Sequence, residues 1–577
     1  MPSAYISNKV SQFRQSASSA WLPKSVILLR EYDRAKFAHD LLAGITVGLV
    51  ALPLAMAFAI SSGMPPQSGL YCAVIAGFLI SALGGSKTQI GGPTGAFVVI
   101  VAGIVAKYGV DGLLICTLIA GVLLVILGAT GLGTAVKFLP RPIVVGFTNG
   151  IAVLIASTQI KDFFGLKLAQ VPGEFSARML SLGRNWHTFS PVATMLAAAA
   201  LLIMIALQRI SQKIPGYILM LLGGTVLVWL FKLPIETIGT RFGGIPSGLP
   251  KFVAPHLTLA QIPGLLSPAI TIAMLGAIES LMSAVVSDRM SNDRHNPNVE
   301  LIGQGIANIF SPLFGGLPAT GAIARTATNI RSGATSPVSG MVHALTLLMV
   351  LLFAAPLAKF VPLCVLSAIL LVVAYNMGEW REIPEILKLT KSDISVWAAT
   401  FALTVFADLT VAVEVGMILA ALLFIRKVTI TTTVSEVTEA YVDAGRVHVL
   451  QDKNIPEYVR IFRIHGPFLF GATDKINVIS EQLHQLPPIV ILRLRNMTAI
   501  DATGLHALEA IADQLHASGR HLLLCGAREQ PASLMEQAEF EEHVGRANMC
   551  EHVEAALNRA RELHAENLLH AAVAAAQ

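Results

Sequence analysis

The chain has 577 residues, of which 54% are hydrophobic and only 13% charged, with mean hydropathy +0.66. A soluble chain of this length carries about 25% charged residues, so the composition excludes an all-soluble protein and points to many membrane crossings. The net charge of +5 is met by cations at span ends, so no nucleic-acid partner is implied.

Residues 1–38 form a polar N-terminal region with Lys9, Arg14, Lys24, Arg30, Arg34 and Lys36 and no signal-peptide pattern. The first span then serves as an uncleaved insertion signal. Apolar runs follow at 40–62, 69–83, 112–131, 141–160, 191–208, 216–231, 265–287, 301–314, 337–355, 360–376, 394–411 and 414–426. Two further segments, 94–107 and 320–331, follow the phrases "GGPTGAF" (91–97) and "GGLPATGAIARTATNIR" (315–331) and bring the total to fourteen. An even number places both termini on one side. Lys87, Lys137, Arg141, Arg209, Lys213, Arg289 and Arg294 in the short loops of that side make it cytoplasmic.

The two Gly/Pro phrases introduce the third and the tenth segments, the same place in each set of seven. Paired interruptions in two inverted halves are a sequence pointer to a transporter binding site. A helix that starts in mid-membrane leaves its first amides without intrahelical partners, and its dipole places positive charge there. Two such starts facing one another form an anion site. Thr94 and Thr320 stand where N-caps are expected. Arg325 strengthens the preference for an anion, because a charge at that depth needs a cavity or a partner. Phe58 and Phe97 can wall the cavity or serve as core packing. Glu279, inside "AMLGAIESLMSAVV" (273–286), is the coupling-ion candidate: it can carry a proton, coordinate Na⁺, or pair with Arg325.

From about Thr431 charges become frequent, and no run is long enough to cross a bilayer. "YVRIFRIHG" (458–466), "PIVILRLRN" (488–496) and "RHLLLCG" (520–526) read as strands. Residues 501–518 carry helical apolar spacing, with Leu505, Leu508, Ile511 and Leu515 on one face. Asp501 and Thr503 lie at a strand-to-helix junction, where Thr503 can be a phosphorylation point or Asp501 a simple N-cap. Five cysteines with no close pair exclude a disulfide framework or a metal site, and no nucleophile–His–acid set or phosphate loop points to an enzyme.

Several stretches together resemble the SulP (sulfate permease) anion transporters, the family of the vertebrate solute-carrier anion exchangers. They are "DLLAGITVGLVALPLAMAFAI" (40–60), "GGPTGAFVVI" (91–100), "MLGAIESLMSAVV" (274–286), "GQGIANIFSPLFGGLPATGAIARTATNIRSGATSP" (303–337) and "IDATGL" (500–505). The resemblance runs from about 35 to 560, and its central stretches look most like bacterial members assigned to C4-dicarboxylate uptake. It implies a polytopic α-helical membrane protein of fourteen segments in two inverted seven-segment repeats, with a uracil-permease-like core and gate. It further implies a cytoplasmic α/β STAS domain and a homodimer. The corresponding bounds are 39–430 for the transporter, 436–560 for the STAS domain and 561–577 for a helical tail. Carried over by position, the substrate-binding residues are Phe58, Phe97, Ile323, Ala324 and Arg325, and the regulatory hydroxyl is Thr503. Two departures stand out: Leu54 follows Pro53 where many relatives have Gln or Glu, and Ala324 precedes Arg325 where many have Ser. The function implied is elevator-type secondary transport of an anion across a bacterial inner membrane, with H⁺-coupled fumarate or succinate uptake expected first. The alternatives are sulfate transport, Na⁺-coupled bicarbonate transport, or an anion-responsive sensor acting on a cytoplasmic protein through the STAS domain. No cofactor beyond H⁺ or Na⁺ is implied.

Overall fold

The computed structural model describes residues 21–29, 32–133, 140–168, 171–210, 216–255, 262–407, 409–437 and 455–576. Of the cations counted for topology, Lys9, Arg14, Arg30, Lys137 and Lys213 lie outside the described residues. The chain divides into two units, Met1–Ile418 and Leu419–Gln577.

The first unit is a membrane body. Its first half holds α1 (Arg34–Ser61), α2 (Pro66–Leu83), β1 (Gly91–Gly92), α3 (Gly95–Ala129), α4 (Arg141–Phe164), α5 (Phe175–Arg184), α6 (Pro191–Ile210) and α7 (Gly216–Phe231). Its second half holds α8 (Ile262–Ser291), α9 (Pro297–Phe310), β2 (Thr320–Gly321), α10 (Ile323–Arg331), α11 (Val338–Phe353), α12 (Leu363–Met377) and α13 (Lys391–Phe406), and α14 (Leu409–Thr431) continues into the second unit. The third and fourth expected segments are the two parts of α3, separated at Gly109, whose φ of 74° is open to glycine and strained for other residues. With that division, fourteen of the described helices correspond to the fourteen expected segments, and α5 lies in the long loop between the fifth and sixth.

Local chemistry sets several boundaries. Asp33 caps α1 by accepting from Lys36 N at 2.7 Å. Asn296 caps α9 by accepting from Asn298 N and Val299 N, with Pro297 at the first helical position, where a missing N–H costs nothing. Pro65 and Pro140 precede α2 and α4 in extended backbone.

Packing sorts the helices into two groups. One gathers α1, α2, α3, α8, α9, α10 and α11; the other gathers α4, α6, α7, α12 and α13. Small residues allow the closest crossings. A Cβ on Gly121 of α3 would stand 2.7 Å from Gly305 O of α9, and one on Gly305 would stand 2.6 Å from Gly121 O. Such backbone approach is how helices associate where lipid removes the hydrophobic drive.

In the second unit, β3 (Thr433–Glu436), β4 (Val459–Phe468), β5 (Ile489–Ile500), β6 (His521–Cys525) and β7 (Met549–Cys550) form one sheet in that order. The β3–β4 pair is antiparallel and the others are parallel. One apolar cluster joins Phe462, Leu492 and Leu494 to Leu505, Leu508, Ile511 and Leu515 of α15 (Ala502–Ala517), the face expected from its spacing. The other joins Ile461, Ile491 and Leu523 to Leu557 and Leu563 of α16 (Val553–Ala576). That helix runs unbroken past residue 561, so the alanine-rich end continues a packed element. The cysteines also differ from their sequence appearance: Cys525 and Cys550 are direct register partners across β6 and β7.

Candidate anion site

The two Gly/Pro phrases meet. Gly91 pairs with Gly321 and Gly92 with Thr320 in a two-residue antiparallel ladder. This holds the start of α3 beside the start of α10. Gly92 needs φ of 143°, and a Cβ there would stand 2.9 Å from Arg325 Nη1, so this position is glycine for two reasons.

Neither helix start is closed by a side chain. Thr94 occupies the N-cap position of α3 but makes no capping bond. Its hydroxyl donates instead to Glu279 Oε2 of α8 at 3.0 Å. The expectation for Thr320 is wrong: it lies in β2, and Ala322 is the N-cap of α10. The reason is a better partner inside, since the Thr320 hydroxyl donates to Gly276 O of α8 at 3.0 Å. Ala322 has no side-chain oxygen to offer. Among the described residues the amides of Gly95 and Ala96 on α3, and of Ile323, Ala324 and Arg325 on α10, have no hydrogen-bond acceptor. Two sets of donors, each with its helix dipole behind it, therefore stand at one place.

Side chains complete the surroundings. Phe58 of α1 and Phe97 of α3 are buried, and Phe58 Cε1 lies 3.3 Å from where a Cβ on Gly95 would sit. Ile323 and Ala324 are exposed at the start of α10. Arg325 is 3% exposed and donates through Nη2 to Pro93 O, tying α10 to the loop before α3. Arg325 and Glu279 form no ion pair among the described residues. The carboxylate is held by Thr94, which leaves it beside the positive end of α3.

A polar scaffold that the sequence reading did not single out supports the α10 start. Ser280 Oγ accepts from Gly321 N at 3.0 Å and donates to Gln304 Oε1 at 2.8 Å. Asn308 accepts from Ala319 N at 2.8 Å, and its Nδ2 donates to Ala319 O at 2.9 Å. Gln304 Nε2 also donates to Ala319 O. Thr326 Oγ1 accepts from Ile90 N at 3.0 Å, tying α10 to the residue that precedes β1. The legible signal was Gln304 and Asn308, four residues apart in "GQGIANIF", which puts two amides on one face of an apolar helix.

In the second unit Asp501 is the N-cap of α15, accepting from Gly504 N at 2.8 Å and from Phe470 N at 3.0 Å. Thr503 is exposed in the first turn of that helix. Burial pushes the nearby sheet's Cys525 thiol up to about 12, so that sulfur stays protonated and inert.

Comparison with known proteins follows this architecture. The Sulfate permease family profile matches residues 37–400, and the STAS domain profile matches residues 451–556. A Bacillus subtilis protein with the provisional name sulfate transporter YvdB is 43% identical over 523 residues, which cover 90% of this chain and 97% of its own. The bicarbonate transporter BicA of Picosynechococcus is 30% identical over 514 residues, covering 86% and 90%. The solved structure of the murine anion transporter Slc26a9 superposes with TM-score 0.83 over 94% of each chain, at 17% identity, which speaks for the fold alone. Fold, helix starts and sequence agree: the chain belongs to the sulfate permease family and carries a C-terminal STAS domain.

Proposed function

We propose that the protein carries a small anion across a bacterial inner membrane, bound between the starts of α3 and α10. The observation that carries this reading is the β1–β2 ladder, which sets unfilled amide donors from both helices beside Arg325. Phe58, Phe97, Ile323 and Ala324 wall the anion, and Arg325 supplies the fixed charge. The two packing groups support an elevator motion, in which the group holding both helix starts slides against α4, α6, α7, α12 and α13. Glu279 is the coupling residue: as a neutral acid it removes a negative charge from beside the substrate, so proton and anion cross together. Both termini face the cytoplasm, and Thr503 is a phosphorylation point in a chain that works as a homodimer.

Dipoles and one arginine reward negative charge without naming a molecule. The names of the relatives direct attention to sulfate and bicarbonate, while the central stretches that resemble dicarboxylate carriers keep succinate and fumarate in view. The test is uptake of labelled sulfate, bicarbonate and succinate into proteoliposomes, with pH and Na⁺ gradients imposed separately. Wild type should accumulate one of the three, and Arg325→Ala should abolish that accumulation. Unchanged uptake by the variant would remove Arg325 from the site.

A further inference from the structure

Behind the paired helix starts, buried polar atoms without partners gather in one seam. Arg325 Nη1 has no hydrogen-bond partner among the described residues, and neither ring nitrogen of His343 has one, although His343 is 0% exposed. Both side chains flank β1. A Cβ on Gly92 would stand 2.9 Å from Arg325 Nη1 and 3.5 Å from Ala73 Cα. A Cβ on Gly77 would stand 3.2 Å from Gly91 O and 3.7 Å from His343 Nδ1. Ala73 and Gly77 lie one turn apart on one face of α2, and neither has a polar side chain that could partner these atoms.

The same face continues to Ser81, whose buried hydroxyl is also unpartnered and abuts Gly340, one turn before His343 on α11. One turn beyond Arg325 on α10, Asn329 donates through Nδ2 to Thr88 O at 2.9 Å and Ser339 Oγ at 2.8 Å, while its Oδ1 has no partner. So α2, α10 and α11 each contribute unmatched polar atoms to one interior strip. Native interiors seldom leave such groups without a partner, and buried ordered water commonly supplies one, making several hydrogen bonds per molecule.

We propose that this seam is a binding site for ordered water, and that His343 is a positioning residue for Arg325. An imidazole offers one acceptor and one donor in its neutral form, so it can take a water that accepts from Nη1. With Nη2 on Pro93 O and Nη1 on that water, the guanidinium plane is held at both ends and cannot turn away from the anion. The inference rests on the reading of Arg325 as the anion-binding group.

The experiment measures concentration-dependent uptake of labelled sulfate, bicarbonate and succinate by wild type, His343→Leu, His343→Gln and Arg325→Ala. His343→Leu should raise KM roughly tenfold, the cost of one lost buried hydrogen bond, with kcat little changed. His343→Gln, which keeps a donor and an acceptor, should recover most of that loss. If Arg325→Ala abolishes uptake while His343→Leu keeps the wild-type KM, or if Gln is as impaired as Leu, the positioning role is overturned and the anion site stands. If Arg325→Ala transports normally, the site reading itself fails. A high-resolution map of the wild-type protein gives a check that no variant's folding can obscure. Density within hydrogen-bond reach of both Nη1 and a His343 nitrogen is required, and an empty seam overturns the proposal.

Discussion

Glu279 and Arg325 are close to the same helix starts yet bond to different groups, one to the Thr94 hydroxyl and the other, through Nη2, to the Pro93 carbonyl. That separation matters for coupling. Had the two formed a direct ion pair, removing either would strand a buried charge and the cost would be mainly structural. Held by a neutral hydroxyl, the carboxyl can gain or lose a proton without breaking a charge pair. Glu279→Gln mimics the protonated form and keeps a group for Thr94 to bond. The expected outcome in proteoliposomes is anion exchange that persists, with accumulation no longer responding to an imposed pH gradient. Gradient-driven accumulation at the wild-type level in the variant would show that the coupling proton binds elsewhere.

At the scale of elements, two short strands do what neither half-helix can do alone. A single mid-membrane helix start would leave its amides in an apolar setting, whereas the ladder of Gly91 with Gly321 and Gly92 with Thr320 gives the two irregular loops each other's backbone groups. The helices carrying them must then cross closely, and the α3–α9 crossing depends on glycine. A Cβ at Gly305 would meet Gly121 O at 2.6 Å and Val125 N at 2.7 Å, both backbone atoms that cannot step aside. Gly305→Ala should therefore destabilise the body by about 1–3 kcal/mol and lower its melting temperature in detergent. Gly103→Ala on α3, the other helix of this crossing, where a Cβ meets nothing within 4 Å, is the control and should melt like wild type. Equal melting of the two variants would refute the packing account.

Across the whole molecule, a membrane body and an α/β unit each carry their own apolar core. This division bears on whether the chain transports or senses. Truncation after residue 435 removes the STAS fold and leaves the body's core intact. A transporter should then keep measurable anion uptake above empty liposomes, assayed on the monodisperse truncated protein. Complete loss of flux from a folded body would favour a sensor whose working part is the tail.

Much of this was readable in one dimension. Long apolar runs specify helices because hydrocarbon forces every backbone group to bond within its own segment. The repeated Gly/Pro phrase marked where that rule is broken, and the helix dipole gave the sign of the ligand. Strands β4, β5 and β6 and the buried face of α15 followed from apolar periodicity. What the sequence could not decide was partnership. Thr94 and Thr320 are equivalent in their phrases, yet both hydroxyls turn to α8, one to a carboxylate and one to a carbonyl. Gln304, Asn308 and Ser280 acquired their scaffold role only when α9, α8 and the loop before α10 came together. His343 stands alone as a titratable residue within an apolar run of the sequence, and only the packing of α2 and β1 brings it to the Arg325 side of the ladder. Hydrogen bonds of a few ångströms depend on which segments fold side by side, and adjacency in space is the quantity a linear pattern does not contain.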